Sequence, residues 1–319
     1  MARLRGAARQ GAAIALRCSG LPWLVRKALG RNRACVVIYH APAPDVLDRH
    51  LAYLARRFNF LPFGDLVDAI HARDWSAIPP RALVVTLDDG HRSNADLLPV
   101  FRKYGVRPTI YLCSQVAGTL RHFWFRESAG EWDRYKALPQ AERLRKLEAA
   151  TGFQPIRDYP ADSRQALSTD EIRAMRPWVD FQSHSRFHPI LTTCTDSECW
   201  EEVERSREEV KELVGRRCEH FSYPNGDYLE RELDYVRKAG YRSARSIDLG
   251  WNDVNTDPYR LRVQGIADDA SISMLSVQLS GVPNYLWRLT RGCWDGRWPT
   301  TTLHGGDPSR ATTRRSPAC

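Results

Sequence analysis

The chain has 319 residues, of which 43% are hydrophobic and 27% are charged, a composition typical of globular rather than disordered, collagenous or coiled-coil proteins. No apolar run approaches the roughly 18 residues that a membrane-spanning helix requires, so we expect no integral membrane protein. The net charge is +9, of which residues 1–33 supply eight positive charges and no negative one, and residues 305–319 supply a net two more. Residues 34–304 are therefore close to neutral, which argues against a basic nucleic-acid-binding groove.

The N-terminal segment, residues 1–33, is predicted to contain a basic amphipathic helix. Its apolar residues follow helical spacing, with basic side chains and Trp23 between them: Leu21, Leu24, Val25, Ala28 and Leu29. Such a helix can lie on an anionic membrane surface, and the alternative is a helix that packs on its own domain. The apolar run 12–16 is too short for a secretory signal. The eight cysteines are scattered and form no CxxC pair, a pattern typical of proteins from a reducing compartment. We therefore expect a cytoplasmic protein in which residues 1–33 either contact a membrane surface or pack on the domain.

From residue 34 onward, short apolar strands alternate with amphipathic helices. The predicted strands are residues 34–39, 83–86, 109–112, 179–183, 220–223, 241–245 and 260–263. The predicted helices are residues 47–57, 63–72, 94–104, 169–176, 197–214 and 228–239. This alternation predicts βαβ units and a mainly parallel sheet or barrel. Residues 118–168 interrupt it and are predicted to form an insertion beside the functional site.

Two adjacent carboxylates follow one of the buried strands. Asp88 and Asp89 end the apolar run 84–87, where ionised groups are costly unless a positive charge compensates them. Gly90 then allows the chain to turn. By itself this pattern is more typical of a simple loop with a helix-capping aspartate, so it needs a companion motif.

Two histidines supply that companion. His184 and His188 are four residues apart, a spacing that can place two imidazoles on one cation. Two histidines and one carboxylate form a facial ligand set that leaves coordination positions open for water and substrate. A third segment, residues 220–227, is a strand that runs into a turn with Pro224 and Gly226, where backbone N–H groups can face an oxyanion.

In this order, the three segments resemble the polysaccharide deacetylase superfamily, also called the NodB-homology or carbohydrate esterase family 4 superfamily. Residues 86–90, TLDDG, are similar to its TFDDG motif, and residues 184–188, HSRFH, fit its H-[ST]-x-x-H motif. Residues 221–226, FSYPNG, resemble its third motif. Residues 37–40, VIYH, and 256–263, TDPYRLRV, resemble the bacterial exopolysaccharide branch, which includes the poly-N-acetylglucosamine deacetylases.

The resemblance implies an α/β fold, a distorted (β/α)7 barrel with the insertion at about 118–168. It implies one divalent metal ion, with zinc expected and other divalent transition metals as alternatives, held by Asp89, His184 and His188. Asp88 would be the general base. The tetrahedral oxyanion would be stabilised by the metal and by a backbone N–H near Tyr223 and Asn225.

The sequence departs from the family pattern in two places. The commoner third motif has an arginine that orients the base, where this chain has Ser222; we assign that role to Arg262, with Arg260 as the alternative. The usual general acid is a histidine in a C-terminal L-x-H motif, which Leu303 and His304 imitate beside a tail that we expect to be disordered. In the exopolysaccharide branch an early histidine takes this part, so we assign the acid to His40.

The resulting prediction is a hydrolase of carbon–nitrogen bonds that removes N-acetyl groups from an amino-sugar polysaccharide or a lipid-linked glycan. Its partner would be an acetylated glycan and no nucleic acid. Residues 34–270 are assigned to the catalytic domain and residues 271–319 to a C-terminal extension. Two alternatives stay open: another metal-dependent amide or ester hydrolase on the same barrel, and a catalytically idle carbohydrate-binding protein.

Overall fold

Eight parallel strands form the sheet in the computed structural model, which describes residues 2–30 and 32–282. Their bounds are β1 Cys35–Tyr39, β2 Asn59–Phe60, β3 Ala82–Leu87, β4 Thr109–Leu112, β5 Asp180–Ser183, β6 His220–Ser222, β7 Ser243–Leu249 and β8 Leu261–Gly265. The order β1-β8-β7-β6-β5-β4-β3 closes on itself because β1 also pairs with β3. Short β2 adds to β3 outside this ring of seven. The predicted (β/α)7 barrel is confirmed.

Eleven α-helices accompany these strands in the described ranges. They are α1 Ala2–Cys18, α2 Leu21–Leu29, α3 Pro44–Ala55, α4 Phe63–Ala72, α5 Leu98–Tyr104, α6 Trp132–Lys136, α7 Gln140–Thr151, α8 Thr169–Met175, α9 Asp196–Val214, α10 Glu230–Lys238 and α11 Ile272–Leu279. None of them is both long and apolar enough to span a lipid bilayer.

The strands are buried on both faces, which explains their nearly unbroken apolar sequences. Every residue of β1, β3 and β4 is buried. In a closed parallel barrel one face of each strand packs inward and the other packs against helices, so alternation of polar and apolar residues is lost. Parallel register also brings the carboxyl ends of the strands to one edge: Tyr39 pairs with Leu87, and Leu112 pairs with Ser183. The polar residues that follow these strands therefore meet at that edge.

The insertion at 118–168 contains α6 and α7 and forms a small core of its own. Trp124, Tyr135, Leu147 and Phe153 pack there with Ile190, which lies just after the second histidine. The insertion is therefore attached directly to the segment that carries the paired histidines.

Several bounds shift by a few residues, and three further features of the described structure were not predicted. Helix α1 was not predicted, because residues 2–18 include two glycines and only a short apolar run; in the structure α1 contacts α11. Strand β2 is only two residues long, too short for a periodicity to register. Residues assigned to the C-terminal extension belong to the core, since Leu275 and Leu279 of α11 are fully buried in it. Residues from 283 onward, including His304, lie outside the described residues.

Candidate active site

Asp89, His184 and His188 meet at the carboxyl edge of the barrel. Asp89 Oδ1 lies 3.5 Å from His184 Nε2 and 3.4 Å from His188 Nε2. One ligand atom from each residue lies within 4.8 Å of the other two, and all three side chains are buried. Three converging donors of this kind are the arrangement that a tetrahedral or facial metal site needs.

The protonation and bonding of these groups fit a cation. The Nδ1 of His184 donates to the carbonyl oxygen of Ser222 at 2.8 Å, which leaves the lone pair on Nε2 facing the centre. Burial lowers the pKa of His184, and it lowers the pKa of His188 to about 3, so both imidazoles are neutral at pH 7. Asp89 Oδ1 is buried and accepts no hydrogen bond from any described residue. A buried carboxylate oxygen without a donor among the described residues, facing two neutral imidazoles, suits the binding of a cation.

His91 holds the other oxygen of the Asp89 carboxylate. Its Nε2 lies 3.0 Å from Asp89 Oδ2, and both side chains are buried. Burial acts to raise the pKa of Asp89, but the hydrogen bond from His91 and the nearby imidazoles hold it well below its usual range. The sequence analysis did not assign His91 to the site. Its position two residues after Asp89, in the same turn, was the available signal.

Asp88 is held by Arg245, which corrects the assignment of Arg262. The guanidinium of Arg245, on β7, donates to Asp88 Oδ1 and to the hydroxyl of Ser222. Burial favours a raised pKa for Asp88, but Arg245 and the imidazoles of His184 and His40 lower it. The Arg262 side chain is exposed, because alternate residues of β8 face outward.

Arg260, the alternative to Arg262, donates to Glu230 on the surface. Sequence reasoning missed Arg245 because it searched the segment 256–263. The sequence carries no local signal for Arg245; the sheet order places it at the site, because β7 neighbours β6 and Ser222 pairs with Arg245 in register.

His40 lies at the end of β1, beside Asp88. The backbone N–H of Asp88 donates to the carbonyl oxygen of Tyr39 at 3.0 Å, which aligns residue 40 with the two aspartates. The backbone N–H groups of His40 and Ala41 donate to the Asp268 carboxylate, and Asn94 donates to the His40 carbonyl oxygen. The backbone of His40 is therefore fixed on both sides, and its imidazole is half-buried at the rim of the site.

The turn of the third motif also reaches this edge. Tyr223 is buried, and its backbone N–H donates to the carbonyl oxygen of Arg245 at 3.2 Å. That N–H is engaged in the sheet, so Asn225 is the better candidate of the pair for an oxyanion contact. The backbone of Asn225 has φ +56°, and its side chain donates to Asp227.

The loop between the two histidines is held from outside the barrel by Glu202 of α9. One carboxylate oxygen of Glu202 accepts from the backbone N–H groups of Arg186 at 2.8 Å and Phe187 at 3.0 Å. Burial raises the pKa of Glu202 to about 7. The Ser185 hydroxyl accepts from the N–H of His188 at 3.1 Å, which closes the turn from inside.

Aromatic side chains of the insertion pack against His188. The indole N–H of Trp124 donates to the His188 carbonyl oxygen at 2.7 Å, and the Phe125 ring meets the imidazole edge-on at 4.9 Å between centroids. Trp132 stacks on Trp124 at 4.7 Å on one side, and the buried Arg143 guanidinium lies 4.7 Å from the Trp124 ring. The insertion thus fixes the second histidine and lines the edge of the site.

Comparisons with known proteins agree with this arrangement. The family model described as "Polysaccharide deacetylase" matches residues 76–244, which include both aspartates and both histidines. The deacetylase PplD of Streptococcus pyogenes, solved in complex with acetate, is 15% identical over 77% of this chain and 97% of that chain, with a TM-score of 0.57. No curated protein sequence matches the chain.

Two further solved structures are similar over most of their length. A de-N-acetylase from Aggregatibacter actinomycetemcomitans is 14% identical over 77% of this chain and 100% of that chain, with a TM-score of 0.56. IcaB from Ammonifex degensii is 15% identical over 78% of this chain and 96% of that chain, with a TM-score of 0.55. At such identities the likeness establishes a shared fold.

Proposed function

The chain belongs to the polysaccharide deacetylase family, and from that premise we propose that it is a metal-dependent hydrolase that removes N-acetyl groups from amino-sugar residues of a glycan. Deacetylation of acetylated glycans follows from the family. The metal dependence, the amide bond and the roles of individual residues are the proposal.

One observation supports the proposal most strongly. A buried ligand set of Asp89, His184 and His188 lies beside a second buried carboxylate, Asp88, whose Oδ2 is 3.8 Å from His184 Nε2. In a purely structural metal site, we would expect each nearby carboxylate to coordinate the metal. Here Asp88 is kept ionised by Arg245 and stays next to the centre, which is the arrangement expected of a base.

The three ligand atoms fit a divalent cation of the zinc type, since imidazole nitrogen and carboxylate oxygen are its usual donors. When bound, such an ion would polarise the acyl carbonyl and lower the pKa of a water molecule towards about 7. His91 and Ser222 orient Asp89 and His184 through the atoms that face away from the centre.

Asp88 would accept the proton of the attacking water. Its lowered pKa keeps it ionised at neutral pH, and the Arg245 guanidinium fixes one of its oxygens while the other faces His184. The water oxygen adds to the acyl carbon, and the carbon–nitrogen bond breaks.

His40 would donate a proton to the departing amine, which yields acetate and a free amino sugar. Its backbone is fixed by Asp268 and Asn94, so the imidazole has a defined place at the rim. The backbone near Asn225 would contact the oxyanion. The half-buried Phe125 and Trp132 beside His188 would offer ring faces to a sugar.

A cytoplasmic location is also part of the proposal. The described cysteines are free thiols, which suits a reducing compartment: Cys18, Cys35, Cys113, Cys194, Cys199 and Cys218.

The test is a mass-spectrometric screen of the purified protein against N-acetylated oligosaccharides, lipid-linked amino sugars and acetate esters. We expect a loss of one acetyl group per reaction from an N-acetylated glycan, abolished by chelator and restored by zinc. The Asp88→Asn variant is the matched control for contaminating activity. Cleavage of esters alone would favour the alternative hydrolase, and glycan binding without turnover would favour an idle binder.

A further inference from the structure

The two N-terminal helices are attached to the rest of the protein through α11. The hydroxyl of Ser271, at the start of α11, donates to Gln10 Oε1 at 2.7 Å, and Arg17 donates to Ser273 at 3.4 Å. Ala13 is buried in this contact, and the guanidinium of Arg17 also lies over the Tyr53 ring at 5.6 Å. The helices are therefore part of the folded body, and their opposite side faces outward.

That outward side carries an unusual share of the exposed apolar surface. Eight large hydrophobic side chains are exposed in the described residues, and four of them fall between positions 14 and 24. Their exposed fractions are 46% for Ile14, 41% for Leu21, 54% for Trp23 and 53% for Leu24. Single exposed apolar residues are normal, but a cluster of this kind marks an interaction surface.

The same segment is strongly basic. Residues 1–33 contain eight arginines and lysines and no acidic residue. Among the side chains described there, one salt bridge is formed, between Arg33 and Asp253 at 3.9 Å. The Lys27 ammonium lies 4.8 Å from the Trp23 ring centroid, so a positive charge lies beside a tryptophan that is 54% exposed.

We propose that Ile14, Leu21, Trp23 and Leu24, with the surrounding basic side chains, form a docking surface for an anionic lipid bilayer. Exposed leucine and tryptophan beside lysine and arginine suit the boundary between headgroups and acyl chains. Self-association through this surface is disfavoured, because it would place the eight positive charges of one copy against the eight of the other. Residues 283–319 hold six arginines and two aspartates, so they would be repelled in the same way.

The part of this surface on α2 lies away from the catalytic edge. Helix α2 precedes β1 and so lies near the amino ends of the strands, and Arg26 lies 5.5 Å from the ring of Phe58, which precedes β2 at the same end. The aspartates and histidines are at the carboxyl ends. A bilayer bound to α2 would leave the catalytic edge open to a glycan.

The test is co-sedimentation of the full-length protein with vesicles of phosphatidylcholine alone and with about one third phosphatidylglycerol. We expect binding only to the anionic vesicles, and loss of binding when salt rises from about 0.1 M to about 1 M, since the Debye length falls from about 10 Å to about 3 Å. Trp23→Ala with Leu24→Ala should weaken binding at least about tenfold. Lys27→Glu should weaken it as well.

Matched controls place the same changes elsewhere on the surface. Trp178→Ala removes a tryptophan that is 45% exposed, and Arg216→Glu reverses an exposed charge, and neither should alter binding. Equal binding to both vesicle types, or unchanged binding by the Trp23 and Leu24 variant, would overturn the proposal. So would light scattering that shows a dimer which this variant converts to a monomer. Hydrolysis of a water-soluble acetylated substrate should be unchanged, which confirms that the variants are folded.

Discussion

Replacing Arg245 by methionine isolates the electrostatic support of the base. The side chain of Arg245 is fully buried, and Asp88 is 5% exposed, so water cannot take the place of the lost guanidinium. Burial then acts on Asp88 without its principal opposing charge, and the pKa of Asp88 must rise. Each unit of that rise is worth about 1.4 kcal/mol, and removing one partner of a buried pair typically costs about 3–5 kcal/mol of stability.

The assay is the pH dependence of kcat/KM for deacetylation, measured with zinc content monitored in each sample. Asp88 is ionised above its pKa, so activity falls on the acidic side, and in Arg245→Met this acidic limb should move at least about one unit to higher pH. On the acidic limb a shift of one unit is a loss of about tenfold at a fixed pH, whereas at pH 7 Asp88 stays ionised and the loss should be smaller. Arg262→Met is the control, because that side chain is exposed, and its profile should match the wild type. An unshifted limb in Arg245→Met, or an equal shift in Arg262→Met, would refute the reasoning.

The other predictions concern the base, the acid and the loop between the ligands. Asp88→Asn keeps the shape of the side chain and leaves the three proposed metal ligands in place. The metal content, measured by mass spectrometry, should therefore be retained while kcat falls about 10²- to 10⁴-fold. Loss of the metal would show instead that Asp88 is a ligand. His40→Ala should impair amide cleavage but largely spare hydrolysis of an activated acetate ester, whose leaving group needs no proton. His304→Ala should have little effect on either reaction. The reverse result would assign the role of general acid to His304 in the C-terminal motif. Glu202 has its pKa raised to about 7 by burial, so the stability it contributes is present below about pH 4.5 and is lost as pH rises through about 7. Urea denaturation should therefore show that the free energy of unfolding of the wild type falls by about 3 kcal/mol relative to that of Glu202→Gln between about pH 4.5 and pH 8. A difference in unfolding free energy between the two proteins that does not change with pH would contradict this prediction.

Sequence reasoning predicted the fold, and the structure brings the three candidate ligands together, because both follow from local sequence patterns. The strands at 109–112 and the helix at 63–72 were predicted with the bounds that the structure has, since buried β-branched runs and helical periodicity are strong local signals. The aspartate pair and the histidine pair each sit within one short segment, so a motif reveals them.

Residues that act through long-range contacts were beyond the reach of such patterns. Arg245 is 157 positions from Asp88, and only the sheet order brings the two together. Trp124 is 64 positions from the carbonyl oxygen that it binds, and it lies in an insertion with no repeat or period to interpret. A lone arginine within a strand and a tryptophan in an irregular segment are each far more often explained by packing, so sequence alone offers no reason to select them.

Backbone conformation offers independent support for the chemical role of the loops. Seven non-glycine residues have positive φ in the described part of the chain, and four of them lie in the three motifs: Asp89, Ser185, His188 and Asn225, at φ +69°, +65°, +58° and +56°. A left-handed conformation costs a residue with a Cβ on the order of 1 kcal/mol, which glycine would avoid. Gly90, at φ +70°, shows the chain using glycine where a Cβ would lie 2.4 Å from the side chain of Leu112. At Asp89 and His188 the side chain is retained in spite of the cost, although a turn alone would favour glycine. The strain fits a role of the carboxylate and the imidazole at the proposed metal centre, and Asp89→Gly should raise the stability of the turn itself while abolishing zinc uptake, measured by metal analysis of the purified variant.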